Sequence, residues 1–321
     1  MKQLKIVFMG TPAFALPSLD LLNLSSHSLE AVIAPPDRPY GRGGKVRHSP
    51  VKKWALKHKL EIKQPERLAE KDFLAWFEQK APDLVVTVAF GKILAPVLLE
   101  LPLMGCINLH ASYLPAYRGS APIHRAIIDG ADHSGVSIIK MSPRLDAGDI
   151  IIQEKEELSL FDTAGTLHDR LAIRGASLLL KAVDALADGT AEAFPQDHAR
   201  ATYAPPLKPE DERLDWNCLS IDIYNRIRGL NPWPGAYTIY GGKRLKVWRA
   251  ARPDPDASGE QMQKPGTILA VGEDSLTVAT KDGALTLLDL QPEGKRPMDA
   301  GSFCCGYRIE PGCRLNEEQP H

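Results

Sequence analysis

Asn108 and His110 stand one residue apart in Cys106-Ile107-Asn108-Leu109-His110, a run of strand-forming composition, so their side chains share one face. The run then breaks into a loop containing Ser112, Pro115 and Gly119. After a helix-like stretch and a further strand-like run, the turn 144–149 presents Asp146. An amide, an imidazole and a carboxylate at neighbouring strand ends can supply a donor to an oxyanion, a proton carrier and the group that orients it. Polar residues at the carboxyl ends of strands in open α/β sheets lie where ligands bind. Each residue also has a structural use. A strand histidine is commonly a packed one, Asn108 can close a loop, and Asp146 suits a turn before Gly148.

The elements that must carry these residues are legible as alternating patterns. Residues 4–9, 31–34, 84–89, 106–109 and 136–140 are short apolar runs, of which 84–89 is continuous and β-branched, as suits a central parallel strand. Helical rhythm occupies 14–22, 50–59, 66–80, 121–129 and 163–186. This alternation predicts a doubly wound, Rossmann-like α/β sheet. From residue 201 the pattern changes. Residues 202–212 are polar and proline-rich, 221–228 are helix-like, and short strand-like runs follow at 236–240, 245–248, 266–271, 276–279 and 284–288. Such a series predicts a small OB-like β-barrel. The expected division is therefore a first domain over 1–201, a linker over 202–207 and a second domain over 208–321.

Length agrees with two domains, since 321 residues is about twice the usual single-domain size. Charge is balanced, with 39 Lys and Arg against 40 Asp and Glu and a net of −1. That excludes bulk disorder and a uniformly cationic surface. The Gly10-Thr11-Pro12 turn is not the G-x-G-x-x-G dinucleotide fingerprint. The sequence also lacks a P-loop, a G-x-S-x-G elbow and any H-E-x-x-H or paired Cys/His spacing. A nicotinamide oxidoreductase is thus a fallback reading, and no metal is expected. The five cysteines, Cys106, Cys218, Cys304, Cys305 and Cys313, are odd in number and form no C-x-x-C pair, which fits reduced thiols in a cytoplasm. The opening apolar run is too short for a signal peptide or a membrane span.

The pattern N-L-H-x-S-x-L-P-x-x-R-G-x-A-P at 108–122, followed by L-D-x-G-D at 145–149, resembles the formyltetrahydrofolate-dependent formyltransferase family. The segments GTPAF at 10–14, 36–43, Ala89-Phe90-Gly91, ERLDW at 212–216 and NPWPGAY at 231–237 resemble the members acting on methionyl initiator tRNA. The resemblance implies transfer of a formyl group from 10-formyltetrahydrofolate to the methionine amino group. It assigns Asn108 and protonated His110 to the oxyanion and Asp146 to the proton shuttle, with Asp146 also favouring the charged form of His110. It gives Ser112, Tyr113, Leu114 and Pro115 to the folate-binding segment, with Tyr113 standing where the family has Leu. Ala89, Phe90 and Gly91 are expected to line the pterin pocket, although Phe90 equally suits core packing. Phe14 is a candidate wall for the methionine side chain, and His124 is expected to be structural.

Charge is locally uneven. Between residues 37 and 63 nine bases face only Asp37 and Glu61, and the stretch 38–49 reads as a mobile, glycine-rich basic loop. Such a loop suits the phosphates of an acceptor stem. Arg38, Arg42 and Lys45 are the expected contacts, and the resemblance places Arg42 near the acceptor end. In the second domain Lys243, Arg244, Lys246 and Arg249 form a basic run with no acid among 243–252, whereas Trp233 and Trp248 are expected to pack. A monomer without membrane contact is expected. Rival readings are a formyltransferase acting on a small amine, such as glycinamide ribonucleotide or an aminosugar nucleotide, and a non-catalytic RNA-binding protein. The basic loop argues against the first, and the conjunction of Asn108, His110 and Asp146 against the second.

Overall fold

The computed structural model describes residues 2–40, 45–254 and 263–316, with 38–40 and 45–46 described through their backbone. The chain divides into two units. One gathers Met1–Pro122, His133–Glu157 and His168–Pro205; the other gathers Ile123–Asp132, Leu158–Leu167 and Pro206–His321.

The first unit is built on a seven-stranded sheet in the order Ile150–Glu157, His133–Lys140, Cys106–His110, Leu84–Val88, Lys5–Gly10, Ser28–Ile33, Ile62–Lys63. The five strands from Cys106–His110 to Ile62–Lys63 are parallel, and the other two are antiparallel. This is the expected doubly wound α/β sheet. The Leu84–Val88 strand is buried along its whole length, so every side chain is apolar except Thr87. Strand order reverses beside Lys5–Gly10, and in such sheets the crevice at that reversal is where ligands lie.

Helices form where the sequence caps them. Pro50–Lys57 opens with Pro50 and is capped by Ser49, whose Oγ accepts from Lys52 N at 3.1 Å. The third helix begins at Lys71 rather than at 66, because Glu70 turns back to accept from Arg67 N at 2.9 Å. The stretch expected to be a mobile loop is in part a hairpin: Arg38–Tyr40 pairs antiparallel with Lys45–Arg47. The Ile150–Glu157 strand has no counterpart among the sequence expectations. Its centre is Gln153-Glu154-Lys155-Glu156, which breaks the apolar pattern because this strand is the sheet's edge.

The second unit carries an antiparallel sheet in the order Ala236–Tyr240, Lys243–Ala250, Gly283–Pro292, Leu276–Thr280, Ile268–Val271, with Met298–Asp299 pairing on Gly283–Pro292. Leu245, Val247, Leu285 and Leu287 of the sheet share one core with Phe303 of the Ala300–Tyr307 helix and the fully buried Trp216. The indole Nε1 of Trp216 donates to Thr238 Oγ1 at 3.1 Å, which satisfies the one polar atom of that ring. This antiparallel unit is of the OB-like type that the strand spacing predicts.

Candidate active site

Cys106–His110 lies in parallel register with Leu84–Val88, so Thr87 is directly beside Asn108. Thr87 Oγ1 is 2.6 Å from Asn108 Oδ1. That separation suits O–H···O and is short for N–H···O, so the hydroxyl donates and the amide oxygen faces the threonine. The amide Nδ2 is thereby turned away, and among the described residues it has no partner. Cys106 occupies the same strand face, but burial pushes its thiol up to about 12. It stays protonated and cannot serve as a thiolate nucleophile.

His110 is 5% exposed. Its Nε2 lies 2.9 Å from the carbonyl oxygen of Tyr117 and must donate to it, since a carbonyl only accepts. Its other nitrogen, Nδ1, is 3.6 Å from Asp146 Oδ2. The same carboxylate oxygen accepts from Gly119 N at 2.9 Å. Histidine and carboxylate are thus juxtaposed but not hydrogen-bonded, and Nδ1 is the ring nitrogen left for a substrate atom. Of the pair read from their spacing, His110 lies against Asp146, and Asn108 is two residues earlier on the same strand.

The turn that follows is held from inside. Ser137 Oγ donates to Ser112 O at 2.8 Å and accepts from Leu114 N at 3.1 Å. Ser112 Oγ is itself spent on Ala116 O at 2.6 Å, and Leu114 is buried. Tyr113 is the residue that points outward, with its ring edge-on to His133. Leu114–Pro115 is a cis peptide. On the neighbouring strand end, Ala89 and Gly91 take left-handed backbone conformations, φ 48° and 77°, around Phe90. Phe90 packs its ring into the core, while its carbonyl accepts from Thr11 Oγ1 at 3.0 Å. Phe14 is also buried, edge-on to His168.

Comparison with known proteins bears on this arrangement. Residues 4–183 match the family described as formyl transferase, and residues 206–308 match the formyl transferase C-terminal domain. The chain belongs to the formyl transferase family. The methionyl-tRNA formyltransferase of Moorella thermoacetica is 48% identical over 309 residues, covering 96% of this chain and 98% of that one. Among solved structures, an N-formyltransferase of Helicobacter canadensis in complex with folinic acid and dTDP-3-aminofucose matches with TM-score 0.64 at 18% identity, over 90% of this chain and all of that one. HypX of Aquifex aeolicus in complex with tetrahydrofolic acid matches with TM-score 0.61 at 16% identity. That match covers 94% of this chain but 47% of HypX, so this chain spans about half its length.

For a formyl transferase with a basic loop, the positions of the cations matter. Arg42 lies outside the described residues, and Arg38 and Lys45 sit on the paired strands of the hairpin. The hairpin's base is fixed by Asp37, which accepts from Lys52 Nζ and, at 3.1 Å, from Gln64 Nε2, with His48 Nδ1 at 3.0 Å. The Lys52 ammonium, foremost among these partners, holds the Asp37 carboxyl below the usual carboxylate range. Lys52 therefore serves the protein's own scaffold, whereas Arg47, Lys53, Lys57 and Lys59 are exposed.

The basic run of the second unit is similarly thinned. Lys243 is exposed, and the Arg244 guanidinium lies 4.3 Å from the centre of the Tyr237 ring. Lys246 Nζ donates to Pro234 O at 2.8 Å beside the Trp248 ring, and Arg249 is paired with Asp289 at 2.7 Å. Asp289 comes from the neighbouring strand, out of sight of a count along 243–252. His124 is indeed held structurally, its Nδ1 2.8 Å from Gly229 O. Among the described residues no group of His, Cys, Asp and Glu could hold a metal, and no helix is long and apolar enough to cross a membrane. The buried Arg118 and Gln196 close beneath Asp146 were missed by sequence reasoning as site residues; nothing in the spacing of Gln196 marks it.

Proposed function

We propose that this chain transfers the formyl group of 10-formyltetrahydrofolate to the α-amino group of methionyl initiator tRNA, in the cytoplasm and as a monomer. The observation that supports the reading is His110 set against Asp146, with Asn108 two residues before it on the same strand, in a chain 48% identical over almost its full length to a methionyl-tRNA formyltransferase. Residues 1–201 would carry the formyl transfer and 208–321 would contribute to tRNA binding, while within the expected 202–207 linker Tyr203–Ala204 pairs as a strand with Arg118–Gly119.

The nucleophile is the methionine amine. A free α-amine has a pKa of about 7.7–8.0, so a useful fraction is neutral near pH 7 without a strong base. Attack on the formyl carbon forms a carbon–nitrogen bond and leaves a tetrahedral oxyanion. Asn108 Nδ2, left open by the Thr87 hydrogen bond, donates to that oxygen. His110 joins it through Nδ1 when that nitrogen carries a proton, with Asp146 Oδ2 3.6 Å from the same nitrogen. One such donor is typically worth about 3 kcal/mol. Asp146, directly or through one water, takes the proton from the attacking nitrogen and returns it to the departing folate nitrogen as the carbon–nitrogen bond to folate breaks. No covalent enzyme intermediate is required, which agrees with the inert thiol of Cys106.

Tyr113 to Pro115 and the 89–91 backbone flank the strand ends where the folate would lie. The basic segment 38–47, Arg42 included, would take the acceptor stem. The deciding experiment supplies formyltetrahydrofolate together with either methionyl initiator tRNA or an aminosugar nucleotide. Formylated methionyl-tRNA is expected and formylated sugar is not; the reverse result overturns the assignment. Arg42→Ala should raise KM for the tRNA and leave KM for the folate unchanged, and unaltered tRNA kinetics would remove Arg42 from the interface.

A further inference from the structure

We propose that Gln196 is a positioning residue for the reaction, holding Asp146 within reach of His110. The proposal rests on the formyl-transfer reading above. Asp146 adopts φ 47°, a left-handed conformation that costs a non-glycine residue on the order of 1 kcal/mol or more. Such a backbone persists only where its surroundings impose it. Around its own turn Ala147 N and Ser142 Oγ donate to Arg144 O at 3.3 and 3.0 Å, and Lys140 N donates to Asp149 O at 2.9 Å, but none of these bonds engages Asp146 itself.

Gln196 holds the backbone of Asp146 from 50 residues away in sequence. Its Nε2 donates one hydrogen to Asp146 O at 2.9 Å and the other to Gly148 O at 2.7 Å. Its Oε1 accepts from Arg118 Nε at 3.1 Å and Nη2 at 2.7 Å. Every donor and acceptor of the amide is therefore used. The orientation is also unambiguous, because the flipped amide would set its oxygen against two carbonyls and its NH2 against a guanidinium. Gln196 is 6% and Arg118 4% exposed, so water cannot replace these bonds.

The partners explain what the clamp does. Arg118 lies between Tyr117, whose carbonyl receives His110 Nε2, and Gly119, whose N–H donates to Asp146 Oδ2. Gln196 thus joins the loop that fixes the histidine to the turn that carries the carboxylate. Gln196 is itself anchored, since Phe194 and Ile150 exchange backbone hydrogen bonds of 2.9 and 3.0 Å. The 3.6 Å spacing between ring and carboxylate is the product of this arrangement.

The test is a double-mutant cycle on the full chain. Gln196→Met removes all four bonds, and Gln196→Glu keeps an acceptor for Arg118 while losing both donations. Each is expected to lower kcat by about 30-fold or more, since a shift near 1 Å in a catalytic group can cost about 100-fold. KM for folate and for tRNA should stay within about threefold. In an Asp146→Asn background the same substitutions should cost less than about threefold, because a residue that acts through Asp146 has little left to lose. Equal cost in both backgrounds overturns the proposal, as does wild-type kcat in Gln196→Glu. Thermal unfolding confirms folded protein, and Arg118→Lys, which loosens the clamp from the other side, replaces any variant that does not purify folded. A wild-type chain that fails to formylate methionyl-tRNA refutes the functional reading itself, whereas an active wild type with a silent Gln196→Glu refutes only the positioning role.

Discussion

Gly148→Ala puts the Asp146 turn under a defined load. A Cβ built on Gly148 would fall deep within the van der Waals envelope of Lys140 O and 2.9 Å from the Lys140 carbonyl carbon. Both atoms are backbone at the end of the His133–Lys140 strand, so no side-chain rotation relieves the clash. Restoring an ordinary contact requires the turn to move out by more than about 1 Å. Two hydrogen bonds oppose that movement: Lys140 N to Asp149 O at 2.9 Å, and Gln196 Nε2 to Gly148 O at 2.7 Å. Losing both costs about 2 kcal/mol at about 1 kcal/mol each, and residual overpacking adds on the order of 1 kcal/mol. The larger effect falls on the chemistry, because Asp146 moves with the turn and about 100-fold of turnover depends on a shift of this size. Initial rates of formyl transfer at saturating substrates, alongside thermal unfolding, measure both quantities. Gly306→Ala is the control, since a Cβ there meets nothing within 4 Å and the residue lies in the Ala300–Tyr307 helix. It should keep wild-type turnover with stability unchanged or slightly raised. A Gly148→Ala enzyme within about threefold of wild-type turnover would refute the reasoning.

Asp146→Asn and His110→Ala should each reduce formyl transfer by about 10²- to 10⁴-fold with the thermal transition retained, and wild-type turnover in the double variant would remove the pair from the chemistry. Asp37→Asn should loosen the hairpin base and raise KM for tRNA but not for folate. Because the folded-state pKa of Asp37 is depressed, its pair with Lys52 contributes fully above the ordinary carboxylate value of about 4 and is lost as pH falls through the lower folded value. Amide exchange of residues 45–47 should therefore stay slow down to about pH 4 and quicken only below it. Iodoacetamide at pH 8 should label the exposed Cys305 and spare Cys106, whose thiol titrates at about 12, until the protein is unfolded; mass spectrometry reads both sites.

The parts of this molecule legible in the sequence are those where burial on both faces leaves one kind of residue. The Leu84–Val88 strand is a continuous apolar run because it is central, and Asn108 and His110 stand out because they interrupt a similar run at its end. Where only one face is buried the signal fails. Ile150–Glu157 keeps its charged centre because an edge strand tolerates it, and the paired strands 38–40 and 45–47 have no apolar alternation to read. Counts of charge along the chain misjudge the cations for a related reason. Lys52 meets Asp37 fifteen residues away, and Arg249 meets Asp289 across a strand. Gln196 is invisible because a solitary amide has no period, and its role arises only when the fold brings 118, 146 and 148 around it.

The Tyr203–Ala204 strand pairs with Arg118–Gly119, and Ala121 N donates to Ala204 O at 3.2 Å. This has a practical bearing on dissection of the chain. Excision after residue 183, where the family's first region ends, would discard Gln196 together with this strand, and excision after 201 would still discard the strand. A fragment ending at Pro205 retains both. The smallest piece worth expressing for formyl-donor binding is therefore one whose last residues brace the loop between His110 and Asp146.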